Sequence, residues 1–276
     1  MRKTPGTRPT KRSRMCSMSG AEMSGAERES AGSREIGASG VGAVLFDLDG
    51  TLVATRRLYL EAFADALEPL LGRRPGHEEM MALRPRAEIR FLRELGGEEA
   101  HVAVMERFYR AYEDRHDEDF QGIYTGVREM LARLRALGTP MGLVTGKSRR
   151  SWGITSPRVK LGPFSVAIFD DDVPRSKPDP SGLRAAVREL AGAGALGPNA
   201  SDDVLYVGDS PTDLEAAAGA GVRPGAALWS KRPYERDAFQ AQAEALGGIA
   251  FATPASLVEV IQSRAATGAA SPPHQL

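Results

Sequence analysis

The sequence predicts an α/β protein: a doubly wound parallel sheet with a small helical domain set into it. Three observations lead there. From residue 125 onward, strand-like and helix-like stretches alternate, the pattern of parallel strands joined by crossover helices. Residues 41–46 (VGAVLF) form a short apolar run, as a strand buried on both faces requires. Between that run and the alternation the chain reads as almost entirely helical.

Residues 1–40 are rich in Ser, Gly, Ala and Arg without an apolar period, so they are expected to form a disordered tail. Their basic opening, MRKTPGTRPTKRSR, reads as a leader rather than a nucleic-acid-binding arm, with Met15, Met18 and Met23 as alternative starts. Arg56–Leu71 places Leu58, Ala62 and Ala66 on one helical face. Met80–Leu95 and Glu98–Arg115 read as two more helices, and Val127–Leu137 as a helix stopped by Gly138 and Pro140. Strands are expected at Met141–Val144, Val166–Phe169, Val204–Val207 and Ala226–Trp229. Helices are expected at Ser181–Ala191, at Thr212–Ala220 closed by Gly221, and at Pro254–Arg264. The organisation follows: an α/β core of residues 41–53 and 125–264, a helical domain of residues 54–124, and a second tail of residues 265–276. A helical insertion after the first strand would lie over the carboxyl ends of the strands, where open α/β sheets bind ligands.

The bulk properties exclude several functions. With 276 residues, 42% of them hydrophobic, the chain can bury one core plus a small module. Basic and acidic residues balance at 36 each, which argues against nonspecific nucleic-acid binding by the whole protein, though not against a local basic patch. Cys16 is the only cysteine, so no internal disulfide forms, as suits a reducing compartment. No apolar run approaches the roughly 20 residues that span a bilayer. The N-terminus lacks the apolar stretch of a secretory signal, so a cytoplasmic protein without a membrane partner is expected. The four histidines show no metal-ligand spacing.

The chemistry-bearing residues fall in four segments, each following a strand. Asp47-Leu48-Asp49-Gly50-Thr51 brings two carboxylates to one strand end, with Gly50 permitting a tight exit. Such a pair is costly to bury without a cation or a shared proton. Thr145 and Gly146 offer a hydroxyl and open space for an oxyanion. Lys177, in Ser176-Lys177-Pro178-Asp179-Pro180, is a point charge on a Pro-stiffened loop, suited to a phosphate. Asp209 and Asp213, in GDSPTD, add carboxylates for a hard, oxygen-seeking cation. Each segment alone has a plainer reading as a turn, a helix cap or a solvated lysine. Four in this order, each at a strand end, form a specific pattern.

In FDLDGT, VT at 144–145, KPDP at 177–180 and GDSPTD, the sequence resembles the haloacid dehalogenase-like (HAD) hydrolase superfamily over roughly residues 41–262. The resemblance implies a Rossmann-like core with a cap, and Mg²⁺ as cofactor. It implies that Asp47 is the nucleophile and Asp49 the general acid and base. Thr145, Gly146 and Lys177 would bind the transferring phosphoryl group. Asp47, Asp209 and the backbone carbonyl of Asp49 would hold the metal, with Asp213 orienting its surroundings. The second aspartate, Asp49, separates the chain from dehalogenases, and the absence of lysine in residues 52–125 separates it from phosphonate-cleaving members. Tyr59 stands where mutases of the family carry histidine. The remaining branch is phosphoglycolate-phosphatase-like, acting on a small phosphorylated metabolite. Pyrophosphatase, sugar-phosphate mutase and non-enzymatic regulatory protein are the alternatives, and oligomeric state is left open. The chain departs from that branch at Ala54–Arg57 and Leu83–Arg86. Arg56, Arg84 and Arg86 are therefore candidates to pair with an acidic part of the substrate, their plainer reading being solvated helix arginines. Lys147, Arg149 and Arg150 carry the same two readings. Ile154–Gly162 is less helical than is usual there in the family, Asp114–Asp119 reads as a solvated hinge, and Trp229 as packing at a strand end.

Overall fold

A computed structural model describes residues 41–83, 87–197 and 200–268. The tail expected at residues 1–40, residues 269–276, and the candidates Arg84 and Arg86 lie outside the described residues. Among the described residues six strands form one sheet: β1 (Ala43–Phe46), β2 (Met141–Val144), β3 (Val166–Ile168), β4 (Val204–Gly208), β5 (Arg223–Ala227) and β6 (Ile249–Phe251). They lie in the order β3-β2-β1-β4-β5-β6, and every pairing is parallel. Strand order reverses direction beside β1, so the crevice at its carboxyl end is the topological switch point.

Alternation along the strands fills two cores. Val44 and Phe46 of β1, with Leu205 and Val207 of β4, face α5 (Val127–Ala136) and α10 (Pro254–Gly268). Ala43 and Leu45, with Val204 and Tyr206, face α7 (Ser181–Gly192) and α8 (Pro211–Ala220). Gly142 permits this closeness, since a Cβ there would stand 2.4 Å from Val166 and 2.6 Å from Leu45.

The chain leaves the core at Val53 and returns at Ile123, and the two segments pair across an antiparallel bridge. Ala54 N–H donates to Gly122 (2.8 Å), and Gln121 N–H donates to Ala54 (3.0 Å). Between them stand α1 (Arg56–Leu71), α2 (His77–Leu83), α3 (Glu88–Asp114) and α4 (His116–Asp119). These helices own a separate core around Leu58, Phe63, Leu92, Phe108 and Tyr112, with Phe63 stacked on Phe108 at 4.4 Å.

The structure corrects several sequence expectations. Met80–Leu95 is not one helix: α2 ends at Leu83, and Ala87, in the left-handed region at φ 50°, precedes α3. α3 kinks at Gly97 (φ 60°, ψ 180°), where the sequence reading placed a gap. α6 (Arg149–Val159) is helical through most of the stretch read as poorly helical. Ser148 caps it, and Ser151, Thr155 and Val159 bury one face at four-residue spacing. Ala226–Trp229 is the end of β5 followed by a 3₁₀ turn at Leu228–Ser230. There the Trp229 indole N–H donates to Thr51 O at 2.9 Å. α9 (Pro233–Ala245) and β6 were not foreseen, and α10 continues past Arg264 to Gly268. In the acidic run Asp114, Asp117 and Glu118 are exposed, but Asp119 is buried between Arg57 (2.7 Å) and Arg115 (3.2 Å). No helix among the described residues is long and apolar enough to cross a membrane.

His116 is buried against Phe120 and Tyr112, with Nε2 3.2 Å from Thr155 Oγ1. Burial, with Arg158 and Lys147 adding repulsion, lowers its pKa from 6.5 to about 4. As pH falls, the unfolded chain takes up this proton first. The stability contributed by the neutral ring is therefore present above about pH 6.5 and lost towards pH 4. Thermal melts over that range should show a smaller acid-side fall in Tm for His116→Asn than for the wild type.

Candidate active site

Asp47 follows β1 directly, and its N–H donates to Val207 O at 2.9 Å, which fixes the strand exit. The chain then turns on Leu48 O, which accepts from Leu52 (2.8 Å) and Val53 (3.0 Å). Gly50 sits at φ 87°, and a Cβ there would lie 2.6 Å from the Asp209 carboxylate. Glycine is thus required both by backbone conformation and by the approach of the neighbouring loop. Gly208, at the end of β4, is equally enclosed: a Cβ would stand 2.4 Å from Asp213.

Carboxylate oxygens of Asp47, Asp209 and Asp213 lie within 4.8 Å of one another. Lys177 is the counter-charge. Its ammonium donates to Asp47 Oδ1 (2.7 Å), Asp213 Oδ1 (2.6 Å) and Tyr206 Oη (2.8 Å). Tyr206 in turn donates to Val144 O at 2.7 Å. Ser210 caps α8 and binds the other Asp213 oxygen through N–H (2.9 Å) and hydroxyl (2.6 Å). Burial pushes the Asp47 pKa up to about 8 against the opposing pull of Lys177, with Asp213 and Asp209 adding repulsion. Asp213 is equally enclosed, yet Lys177 and Ser210 outweigh burial and hold it below the usual carboxylate range. Asp209 is raised by burial against the pull of Lys231, whose ammonium stands 3.1 Å from Oδ2.

This donor set suits a hard divalent cation that takes oxygen ligands. Both Asp213 oxygens are committed to protein donors, which leaves Asp47 and Asp209 as the carboxylates free to turn to a metal. Thr145 is buried at the end of β2, its N–H on Ile168 O (3.0 Å) and its hydroxyl accepting from Lys147 N–H (3.2 Å). Gly146 faces the backbone of Ala87, 3.7 Å from where its Cβ would be.

Asp49 stands beside this cluster but in a different network. Oδ1 accepts from Thr55 Oγ1 (2.7 Å) and from Lys147 Nζ (3.2 Å), and Oδ2 lies 3.2 Å from Tyr59 Oη. The structure brings together Asp47, Asp49, Thr145, Gly146, Lys177, Asp209 and Asp213 at one sheet edge. Arg56 is exposed on the first turn of α1 and donates to Met81 Sδ (3.3 Å). Arg149 and Arg150 are exposed and paired with Asp172 and Glu106. Sequence reasoning missed Tyr206, Lys231 and Glu88 and left Lys147 undecided. Only Tyr206 carried a local signal, a hydroxyl inside an otherwise apolar buried strand.

Residues 44–227 match the sequence pattern of the haloacid dehalogenase-like hydrolases. The chain belongs to that family. Among curated relatives, a PpaX protein of Caldanaerobacter subterraneus subsp. tengcongensis is 32% identical over 203 residues, covering 71% of this chain and 85% of that one. A phosphoglycolate phosphatase of Pseudomonas savastanoi pv. phaseolicola is 36% identical over 193 residues, covering 65% of this chain and 66% of its own length. Among solved structures, CbbY from Rhodobacter sphaeroides, crystallised in complex with phosphate, superposes with a TM-score of 0.59 at 22% identity, covering 70% of this chain and 89% of that one. The parallel sheet and its flanking helices are those of a HAD hydrolase.

Gly208→Ala should displace Asp213 and with it Lys177. Calorimetric titration with Mg²⁺ is expected to show affinity reduced roughly 10–100-fold, the usual effect of disturbing groups that orient metal ligands.

Proposed function

We propose that this HAD hydrolase is a phosphatase acting on a small, phosphoglycolate-like phosphate monoester through an aspartyl-phosphate on Asp47. The observation that carries this reading is the placement of Lys177 2.7 Å from Asp47 Oδ1, inside a carboxylate cluster at the switch point of the sheet. A carboxylate attacking an anionic phosphate needs positive charge nearby, and this one has it.

Asp47 and Asp209, with the backbone carbonyl of Asp49, would hold Mg²⁺, which when bound supplies charge neutralisation for the phosphoryl oxygens. Asp213 holds Lys177 in position and is itself held by Ser210. Lys177 and Thr145 bind the phosphoryl oxygens, and Gly146 leaves room for them. Asp47 then forms a bond to phosphorus as the leaving oxygen departs with a proton from Asp49. In the second step Asp49 takes a proton from water, whose oxygen displaces Asp47. The helical segment acts as a cap: Glu88 and Arg90 of α3 reach Ser148 and Ser176 in the loops that carry the phosphate-binding residues. Closing it excludes water and favours small substrates.

Pyrophosphate is the second reading, favoured by the relative named as a pyrophosphatase. Tyr59, its hydroxyl bound to Glu88 and Lys147, offers no imidazole for the mutase reaction.

Phosphate release should be measured on a panel of phosphomonoesters and pyrophosphate. Turnover is expected to require Mg²⁺, to stop with chelator, and to fall at least about a thousandfold in Asp47→Asn, as loss of a nucleophile does. Undiminished turnover in Asp47→Asn would remove the nucleophile from the mechanism.

A further inference from the structure

Lys147 follows the phosphate-binding pair Thr145-Gly146, yet its side chain is wholly withdrawn from solvent. A buried ammonium persists only when all its protons are bonded and its charge is balanced. Both conditions hold here. The three N–H groups point to Asp49 Oδ1 (3.2 Å), Tyr59 Oη (2.5 Å) and Tyr112 Oη (2.9 Å). The charge is shared between Asp49 and Glu88, whose Oε1 lies 3.7 Å away. Asp49 and Lys147 belong to the sheet edge, whereas Tyr59, Glu88 and Tyr112 belong to α1 and α3. The acid/base carboxylate is therefore held by a lysine that the helical segment holds in turn.

The two oxygens of Asp49 are not equivalent. Oδ1 is occupied by Thr55 and Lys147. Oδ2 has Tyr59 Oη at 3.2 Å, but that hydroxyl has one proton and lies much closer to Glu88 Oε1. The other Glu88 oxygen accepts from Ser148 N–H (3.1 Å), Ser148 Oγ (2.6 Å) and Ser151 Oγ (2.7 Å), so this carboxylate is firmly seated. With the tyrosine proton directed to Glu88, Oδ2 is the oxygen left for chemistry.

We propose that Lys147 is a positioning residue that fixes the Asp49 carboxylate by Oδ1 and presents Oδ2 as the proton donor and acceptor, and that Tyr59, Glu88 and Tyr112 lock it there when the helical segment is seated. This rests on the reading of Asp49 as general acid and base. In the first step the Oδ2–H bond breaks and its proton goes to the leaving oxygen, which takes the electron pair of the P–O bond. In the second, Oδ2 takes a proton from water as the water oxygen bonds to phosphorus and the bond to Asp47 breaks.

The test compares an alkyl phosphate, whose alkoxide leaves only with a proton, with p-nitrophenyl phosphate, whose phenolate leaves without one. Lys147→Met is expected to lower kcat/KM at least about 100-fold on the alkyl ester but less than about 10-fold on the aryl ester, the range that general-acid catalysis contributes. Tyr112→Phe, which keeps the ring and touches Asp49 only through Lys147, should shift the ratio in the same direction by a smaller factor. It decides the matter if Lys147→Met does not fold. Equal losses on both esters in folded protein would make Lys147 merely structural and overturn the proposal. Asp49→Asn is the control. If it shows no such ratio while Asp47→Asn is inactive, the acid/base assignment itself fails, a result distinct from failure at Lys147 alone.

Discussion

Everything at the carboxyl edge of this sheet follows from the concentration of negative charge there. Asp47, Asp49, Asp209 and Asp213 converge from two loops, and Glu88 arrives from a helix above them. Carboxylates so placed repel one another and lose hydration. The fold answers with three lysines from three other loops. Lys177 lies between Asp47 and Asp213, Lys231 against Asp209, and Lys147 between Asp49 and Glu88. Each cation serves a distinct part of the cluster. Asp47, Asp209 and Asp49 are thereby given separate electrostatic surroundings within one crevice. Such separation lets neighbouring carboxylates take opposite protonation roles.

The parts legible in the sequence share one property: they depend on local pattern. Asp47, Thr145, Lys177 and Asp209 each follow a recognisable apolar strand, so the topology alone brings them to one edge. The Ser210–Asp213 cap is written in adjacent residues. What escaped depends on distant contacts. Nothing around Lys147 or Lys231 distinguishes it from a solvated lysine until Asp49 and Asp209 are seen beside them. In the sequence Glu88 falls in the middle of the stretch read as one helix, Met80–Leu95, and its burial against Ser148 and Ser151 is set by how α3 meets α6.

Secondary structure escaped for related reasons. β6 has only Ile249–Phe251, too short for a period to show, and α9 buries only Phe239 and Ala243. In α6, Pro157 and β-branched residues lowered the apparent propensity, but tertiary packing of Ser151, Thr155 and Val159 prevailed. The apolar spacing of Met80–Leu95 runs on as if through one helix, and the left-handed backbone at Ala87 interrupts it.

The paired bridge between Val53 and Ile123 has a further consequence. The helical segment departs and returns at neighbouring points, so it hangs from the sheet at a single paired doorway. The segment beyond that doorway has its own aromatic interior, yet it reaches back to the strand ends through Tyr59, Glu88 and Tyr112 on Lys147. A change of residue in those helices would therefore be felt at the strand ends as well.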